Sequence, residues 1–133
     1  MRMTGSPCLT GVRLLLVDDD EDLRHELASV FTLYDAIVDD CDSGDAALTK
    51  LHRRRFDVVV SDVEMPDGDG CSLVSSIRQS EDASIRGVRA AAVSVRDDFA
   101  TRSRVLDAGF DLFVSKLSTI ATLVHAVAQL TRR

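Results

Sequence analysis

No apolar stretch in this chain is long enough to span a bilayer, and residues 1–11 lack the apolar middle of a secretory leader. The expected location is therefore the cytoplasm. Cysteine is scarce and odd in number: Cys8, Cys41 and Cys71 stand about thirty residues apart, which suits neither a disulfide framework nor zinc-ligand spacing. Reduced, incidental thiols are expected. A basic face is missing too. The formal net charge of −6 argues against nucleic-acid binding, which needs positive charge to neutralise phosphates. The one basic run, Arg53-Arg54-Arg55, reads as a solvated helix end complementing the helix dipole. Low-complexity tracts and solenoid-spaced repeats are also absent, so disorder is expected only in the first ten residues.

With 133 residues, 45% of them apolar, the chain can bury one proper core and has no room for two ordinary domains. Apolar runs near 12–17, 36–40, 57–61, 88–94 and 111–115 alternate with segments of helical period. That is the pattern of a parallel sheet covered by helices, an α/β fold of five βα units. Leu23, Leu27, Val30 and Phe31 form the stripe of a first helix. Ser43 caps a second that carries Ala47, Leu48 and Leu51, and Leu73, Val74 and Ile77 mark a third. The fourth, Arg96 to Ala108, offers Phe99, Val105 and Leu106 and is stopped by Gly109. The fifth, from about Ser118, carries Ile120, Leu123, Val124, Val127 and Leu130. Residues 1–10 are expected to be a flexible extension and 11–133 the domain.

The chemistry-bearing residues fall where these runs end. Asp18-Asp19-Asp20 closes the first, Asp62 the third and Ser94 the fourth, and Lys116 follows the last. In open α/β sheets, ligands bind at the carboxyl edge of the strands. Asp18, Asp19 and Asp62 brought together there repel one another unless a cation is shared. All-oxygen ligands favour magnesium, or manganese in its place. Lys116 and the Ser94 hydroxyl supply groups for phosphoryl oxygens, and Asp62 is then a nucleophile that becomes an aspartyl phosphate. Each residue alone has a plainer reading. Asp20 caps the first helix, Asp62 precedes a turn-forming Met-Pro-Asp-Gly, Lys116 resembles a snorkelling surface lysine. His25, His52 and His125 sit on expected helices without partner motifs and are read as exposed.

Taken in order, Leu14-Leu15-Leu16-Val17-Asp18-Asp19-Asp20, Ser61-Asp62-Val63-Glu64-Met65-Pro66-x-x-Asp69-Gly70, Val93-Ser94, and Ala108-Gly109-Phe110-Asp111 leading to Lys116 make the chain resemble the receiver domain of bacterial two-component signalling. The resemblance implies a flavodoxin-like (βα)5 doubly wound five-stranded parallel sheet of strand order 2-1-3-4-5. It implies Asp62 as phosphoacceptor, Asp19 as a direct magnesium ligand, Asp18 acting through metal-bound water, and the Glu64 backbone carbonyl as a further ligand. Ser94 takes the switch-hydroxyl position, Lys116 the lysine position and Phe113 that of the aromatic switch residue, a place that plain core packing also explains. The implied partner is a histidine kinase or histidine phosphotransfer domain. A homodimer through the fourth helix, fifth strand and fifth helix is a further expectation, with no membrane contact of its own. Leu9-Thr10-Gly11-Val12-Arg13 and Gly109-Phe110-Asp111 are similar to the receivers of hybrid sensor histidine kinases, a softer likeness, with a stand-alone relay receiver as the alternative.

Two residues depart from the family pattern. Leu117 follows the lysine where proline, with a cis bond before it, is usual, so a trans Lys116-Leu117 bond and a poorer reach of Lys116 to the phosphate are expected. Val95 follows the switch hydroxyl where a small residue is usual. Glu64 and Arg96, two residues beyond Asp62 and Ser94, are expected to pair and, with Val95, to gate water from the acyl phosphate. Two other functions compete. One is a magnesium-dependent phosphatase of the haloacid-dehalogenase type, whose paired acids Asp62 and Glu64 superficially imitate. The other is a pseudo-receiver that works by its surface alone.

Overall fold

The structure, a computed structural model, describes residues 8–65 and 69–132. Five parallel strands form one sheet in the order β2-β1-β3-β4-β5. They are β1 (Arg13–Val17), β2 (Ile37–Cys41), β3 (Val58–Asp62), β4 (Arg89–Ser94) and β5 (Leu112–Ser115), interleaved with α1 (Glu21–Leu33), α2 (Gly44–Arg53), α3 (Gly70–Arg78), α4 (Ala83–Arg86), α5 (Phe99–Ala108) and α6 (Ile120–Leu130). The flavodoxin-like fold and its strand order are as the sequence implied.

The central strands β1, β3 and β4 are buried on both faces, which is why they read as unbroken apolar runs. Alternate residues feed two cores. Leu15, Val17, Val59, Ala90 and Ala92 face α2, α3 and α5, meeting Leu51, Val74, Ile77 and Val105. Leu14, Leu16, Val58, Val60, Ala91 and Val93 face the other side, against Leu27 and Phe31 of α1 and Leu123, Val124 and Val127 of α6.

Every helix begins on a side-chain cap. Asp20, Ser43, Asp69, Asp82, Asp98 and Thr119 each accept a backbone N–H from the first turn of the following helix. Gly109 ends α5 at φ 117°, a left-handed turn that a side chain resists. The expected caps at Asp20 and Ser43 and the expected stop at Gly109 are all present. His25, His52 and His125 are exposed, and Cys41 and Cys71 are buried, reduced thiols.

Three local readings change. A four-residue helix, α4, lies between α3 and β4; one turn is too short to leave an apolar period in the sequence. The fourth and fifth helices of the expected alternation are therefore α5 and α6. On α5 only Val105 of the expected apolar residues is buried, while Phe99 is 84% and Leu106 53% exposed. The expected flexible extension mostly lies outside the described residues, as residues 1–7, but Leu9 is fully buried and its N–H donates to the Tyr34 carbonyl. Packing thus starts before the boundary expected at residue 11.

Arg78, unremarkable in the sequence, ties α3 to the turn before β4 and to the end of α5. Its guanidinium donates to the carbonyls of Gly109 (2.9 Å), Arg86 (2.7 Å) and Val88 (2.6 Å) and to Asp111 Oδ2 (3.0 Å). Asp111 in turn accepts the Ala90 N–H. A planar five-donor fork can serve four acceptors at once and an ammonium cannot. Arg78→Ala should lower unfolding stability by about 2–3 kcal/mol, because three carbonyls and a carboxylate lose their donor, and Arg78→Lys should recover less than half. Urea unfolding monitored by circular dichroism measures this; a loss below ~0.5 kcal/mol would remove the bridge from the account of stability.

Candidate functional site

The strand register places the acids and the lysine on one edge. Val17 of β1 pairs with Ser61 of β3, Asp62 with Val93 of β4, and Ser94 with Ser115 of β5. The residues that follow or end these strands, Asp18, Asp19, Asp62, Ser94 and Lys116, therefore emerge at their carboxyl ends. The strand order reverses at β1, which has β2 on one side and β3 on the other, and this is where open α/β sheets bind ligands.

Asp18 and Asp62 are buried, Asp19 is exposed, and one carboxylate oxygen from each lies within 4.8 Å of the others. Lys116 closes the cluster, its Nζ 3.1 Å from Asp62 Oδ1 and 3.4 Å from Asp18 Oδ2. The other Asp18 oxygen accepts the Asp20 N–H at 2.9 Å. Asp62 Oδ1 meets Lys116 as an ion pair without an aligned hydrogen bond. A buried anionic oxygen so poorly served, beside two more carboxylates, suits a hard divalent cation with oxygen ligands. Asp18, Asp19 and Asp62 fit magnesium on that ground.

The sequence pattern of the response regulator receiver domain matches residues 14–128. The chain belongs to that family. Transcriptional regulatory protein PrrA of Mycobacterium tuberculosis is 33% identical over 125 residues, covering 94% of this chain and 52% of PrrA. Hybrid signal transduction histidine kinase A of Dictyostelium discoideum is 32% identical over 119 residues, covering 88% of this chain and 6% of the kinase. The chain thus spans about half the length of the response regulators it matches. Among solved structures, a Francisella response regulator receiver domain superposes with TM-score 0.83 at 24% identity, covering 91% of this chain and 97% of that one. A receiver domain of a Syntrophus aciditrophicus histidine kinase gives 0.82, also at 24%, covering 91% and 90%; these two likenesses concern the fold.

Within this receiver domain the Lys116-Leu117 bond is trans, as expected, since the described residues contain no cis peptide. With this bond trans, Lys116 still meets both buried acids. Leu117 is turned to solvent, 82% exposed, and its N–H is held by Ser115 Oγ at 3.1 Å.

The expected Glu64–Arg96 ion pair is not formed. Ser94, fully buried, donates its hydroxyl to Glu64 instead, at 2.7 Å to Oε1 and 3.0 Å to Oε2, and accepts the Arg96 N–H at 3.0 Å. The Arg96 side chain is exposed and Val95 is 56% exposed. A buried hydroxyl close to a carboxylate outcompetes a long solvated arginine, whose ordering costs more entropy than an exposed pair returns. Phe113 is half-buried, packed on the core, with the Arg102 guanidinium 4.7 Å over its ring and Arg102 Nε bonded to Asp97.

Three supports of the site went unnoticed in the sequence. Arg24 on α1 donates to the Asp18 carbonyl at 2.9 Å and to Asp40 at 3.2 Å, fixing the end of β1. Arg104 on α5 reaches Asp69 at 2.6 Å, anchoring the cap of α3. Gly70 ends the motif that follows Asp62, and its place in the fold requires glycine. A Cβ there would run into the Asp62 carbonyl oxygen and crowd Ser61 Oγ at 3.1 Å, so only glycine lets α3 start this close to the end of β3. Pro66, Asp67 and Gly68 of the same motif lie outside the described residues.

Burial pushes the Asp62 carboxyl up to about 6, with Asp18 and Glu64 adding to the rise and Lys116 opposing it. Burial also works against charge on Lys116, but Asp62 and Asp18 outweigh it and hold its pKa above the usual range. Asp62 binds a proton more readily folded than unfolded between its ordinary 3.8 and about 6. Its contribution to stability therefore falls as pH rises through that window. Asp62→Asn should stabilise the metal-free domain above pH 6, by up to about 3 kcal/mol, and the gain should vanish near pH 4. Urea unfolding of both proteins in chelator at several pH values checks this; a gain independent of pH would refute the burial cost. Gly70→Ala should weaken magnesium binding at least several-fold in isothermal titration while leaving the far-ultraviolet circular dichroism unchanged.

Proposed function

We propose that the domain accepts a phosphoryl group on Asp62 from a phosphohistidine donor, in a magnesium-dependent step, and changes its partner surface as a result. The observation that carries this reading is the Lys116 ammonium set between the buried Asp62 and Asp18 carboxylates. The arrangement offers a nucleophilic oxygen, a fixed positive charge and a set of hard oxygen ligands at one strand edge. Asp18, Asp19, Asp62 and the Glu64 carbonyl would hold magnesium, which when bound neutralises charge on the transferring oxygens and orients them. In the transfer, an Asp62 carboxylate oxygen bonds to phosphorus while the phosphorus–nitrogen bond to the donor imidazole breaks and the bonding pair leaves with that nitrogen. Asp62 must be ionised to attack. Lys116, already within reach of Asp62, follows the charge as it passes to the phosphoryl oxygens.

Ser94 and Phe113 are the proposed switch residues, and Val95 and Glu64 flank the path of water to the acyl phosphate. Receiver domains take their signal from histidine kinases or phosphotransfer proteins, and this chain's donor is expected to be of that kind. The face formed by α5, β5 and α6 presents the exposed Phe99 and Leu106 and is the proposed output or homodimer surface. Among the described residues no helix is long and apolar enough to cross a membrane, in keeping with a cytoplasmic module.

Incubation with magnesium and a small acyl phosphate or phosphoramidate should add one phosphoryl group, released by hydroxylamine and absent in Asp62→Asn. Lys116→Ala should retain magnesium binding and lose most of the labelling. Acid-stable labelling that persists in Asp62→Asn would refute the assignment of the acceptor, and turnover of a phosphomonoester would favour the phosphatase reading.

A further inference from the structure

We infer that Glu64 is a positioning residue that holds the Ser94 hydroxyl away from Asp62 until a phosphoryl group displaces it; this rests on the phosphoacceptor reading above. Ser94 has a single hydroxyl proton, and both oxygens of the Glu64 carboxylate share it, at 2.7 and 3.0 Å. Ser94 Oγ in turn accepts the Arg96 N–H. Ser94 is fully buried, so its hydroxyl has no solvent to turn to. One proton cannot serve Glu64 and a phosphoryl oxygen on Asp62 together. Hydroxyl-to-carboxylate bonds are among the stronger neutral-to-charged contacts. The unphosphorylated arrangement is therefore favoured by a bond that must break before Ser94 can turn to the new anion.

The exchange also reaches the outer face. The Arg96 N–H follows Ser94 Oγ, and Arg96 begins the segment that enters α5 through its cap, Asp98. Moving the hydroxyl thus moves an anchor of the segment leading to the exposed Phe99. Glu64 sets the threshold for that movement, because a ligand can shift the equilibrium only by the difference in its interactions with the two arrangements.

The test is a double-mutant cycle read by calorimetric titration of fluoroberyllate, an analogue of the phosphoryl group, in saturating magnesium. The four proteins are the unsubstituted chain, Glu64→Ala, Ser94→Ala and the double substitution, with Glu64→Gln as the variant that keeps an acceptor without the charge. Removing the carboxylate relieves repulsion of the anion in any background, but it releases the hydroxyl only where Ser94 is present. Glu64→Ala should tighten binding about tenfold with Ser94 in place and by less than about threefold in the Ser94→Ala background. Glu64→Gln should fall between. Before any analogue is added, the Arg96 amide resonance should shift in Glu64→Ala, since its acceptor loses its own partner. Equal tightening in both backgrounds would reduce Glu64 to a repelling charge and overturn the inference while leaving the phosphoacceptor reading intact. Failure of the unsubstituted chain to bind fluoroberyllate would overturn both.

Discussion

Two carboxylates buried beside each other at the end of a parallel sheet make an unfavourable arrangement, and the domain is organised around relieving it. Asp18 and Asp62 lie almost out of solvent, and the Lys116 ammonium between them is the nearest compensating charge. It does not suffice: Asp62 still titrates at about 6 instead of in the ordinary carboxylate range. The residual cost is what a divalent cation at the site would relieve, because a group stabilised already has little to gain from a ligand. Positions nearby serve the same geometry. Arg24 steadies the end of β1, and Gly70 admits the start of α3 against the Asp62 carbonyl.

The resting position of Ser94 is the second constraint. A hydroxyl with no access to water must find an acceptor inside the protein, and here the acceptor is Glu64. Asp62 with Lys116 and Ser94 with Glu64 are thus two neighbouring paired systems on adjacent strands, β3 and β4, in register at Asp62 and Val93. On the proposed reading, the first would take the phosphoryl group with its metal, and the second would resist the rearrangement that follows.

The sequence made the strands plain because β1, β3 and β4 are buried on both sides, so burial demanded runs without polar interruption. Helix starts were equally plain at Asp20 and Ser43, where one short polar side chain satisfies otherwise unpaired N–H groups. The one-turn α4 left no period to read. On α5, Phe99 and Leu106 looked like core and proved exposed, because hydrophobicity alone does not say whether a neighbour exists to cover a residue. The site residues Asp18, Asp19, Asp62, Ser94 and Lys116 were visible as strand ends, since chain position fixes which edge they occupy.

Strand alternation and turn chemistry, which depend only on residues close in the chain, decided the fold class, the edge on which the acids sit and the identity of the candidate nucleophile. The pairing of Glu64 was not of that kind. Read along the chain, its natural partner was Arg96, of opposite charge; in the folded molecule it is the Ser94 hydroxyl, because the register of β3 on β4 brings that buried donor within 2.7 Å. The contact of Lys116 with Asp62 was settled in the same way, by the packing of β5 beside β4. Which groups share a proton or a charge depends on ångström distances between segments far apart in the chain. Only the completed sheet fixes those distances.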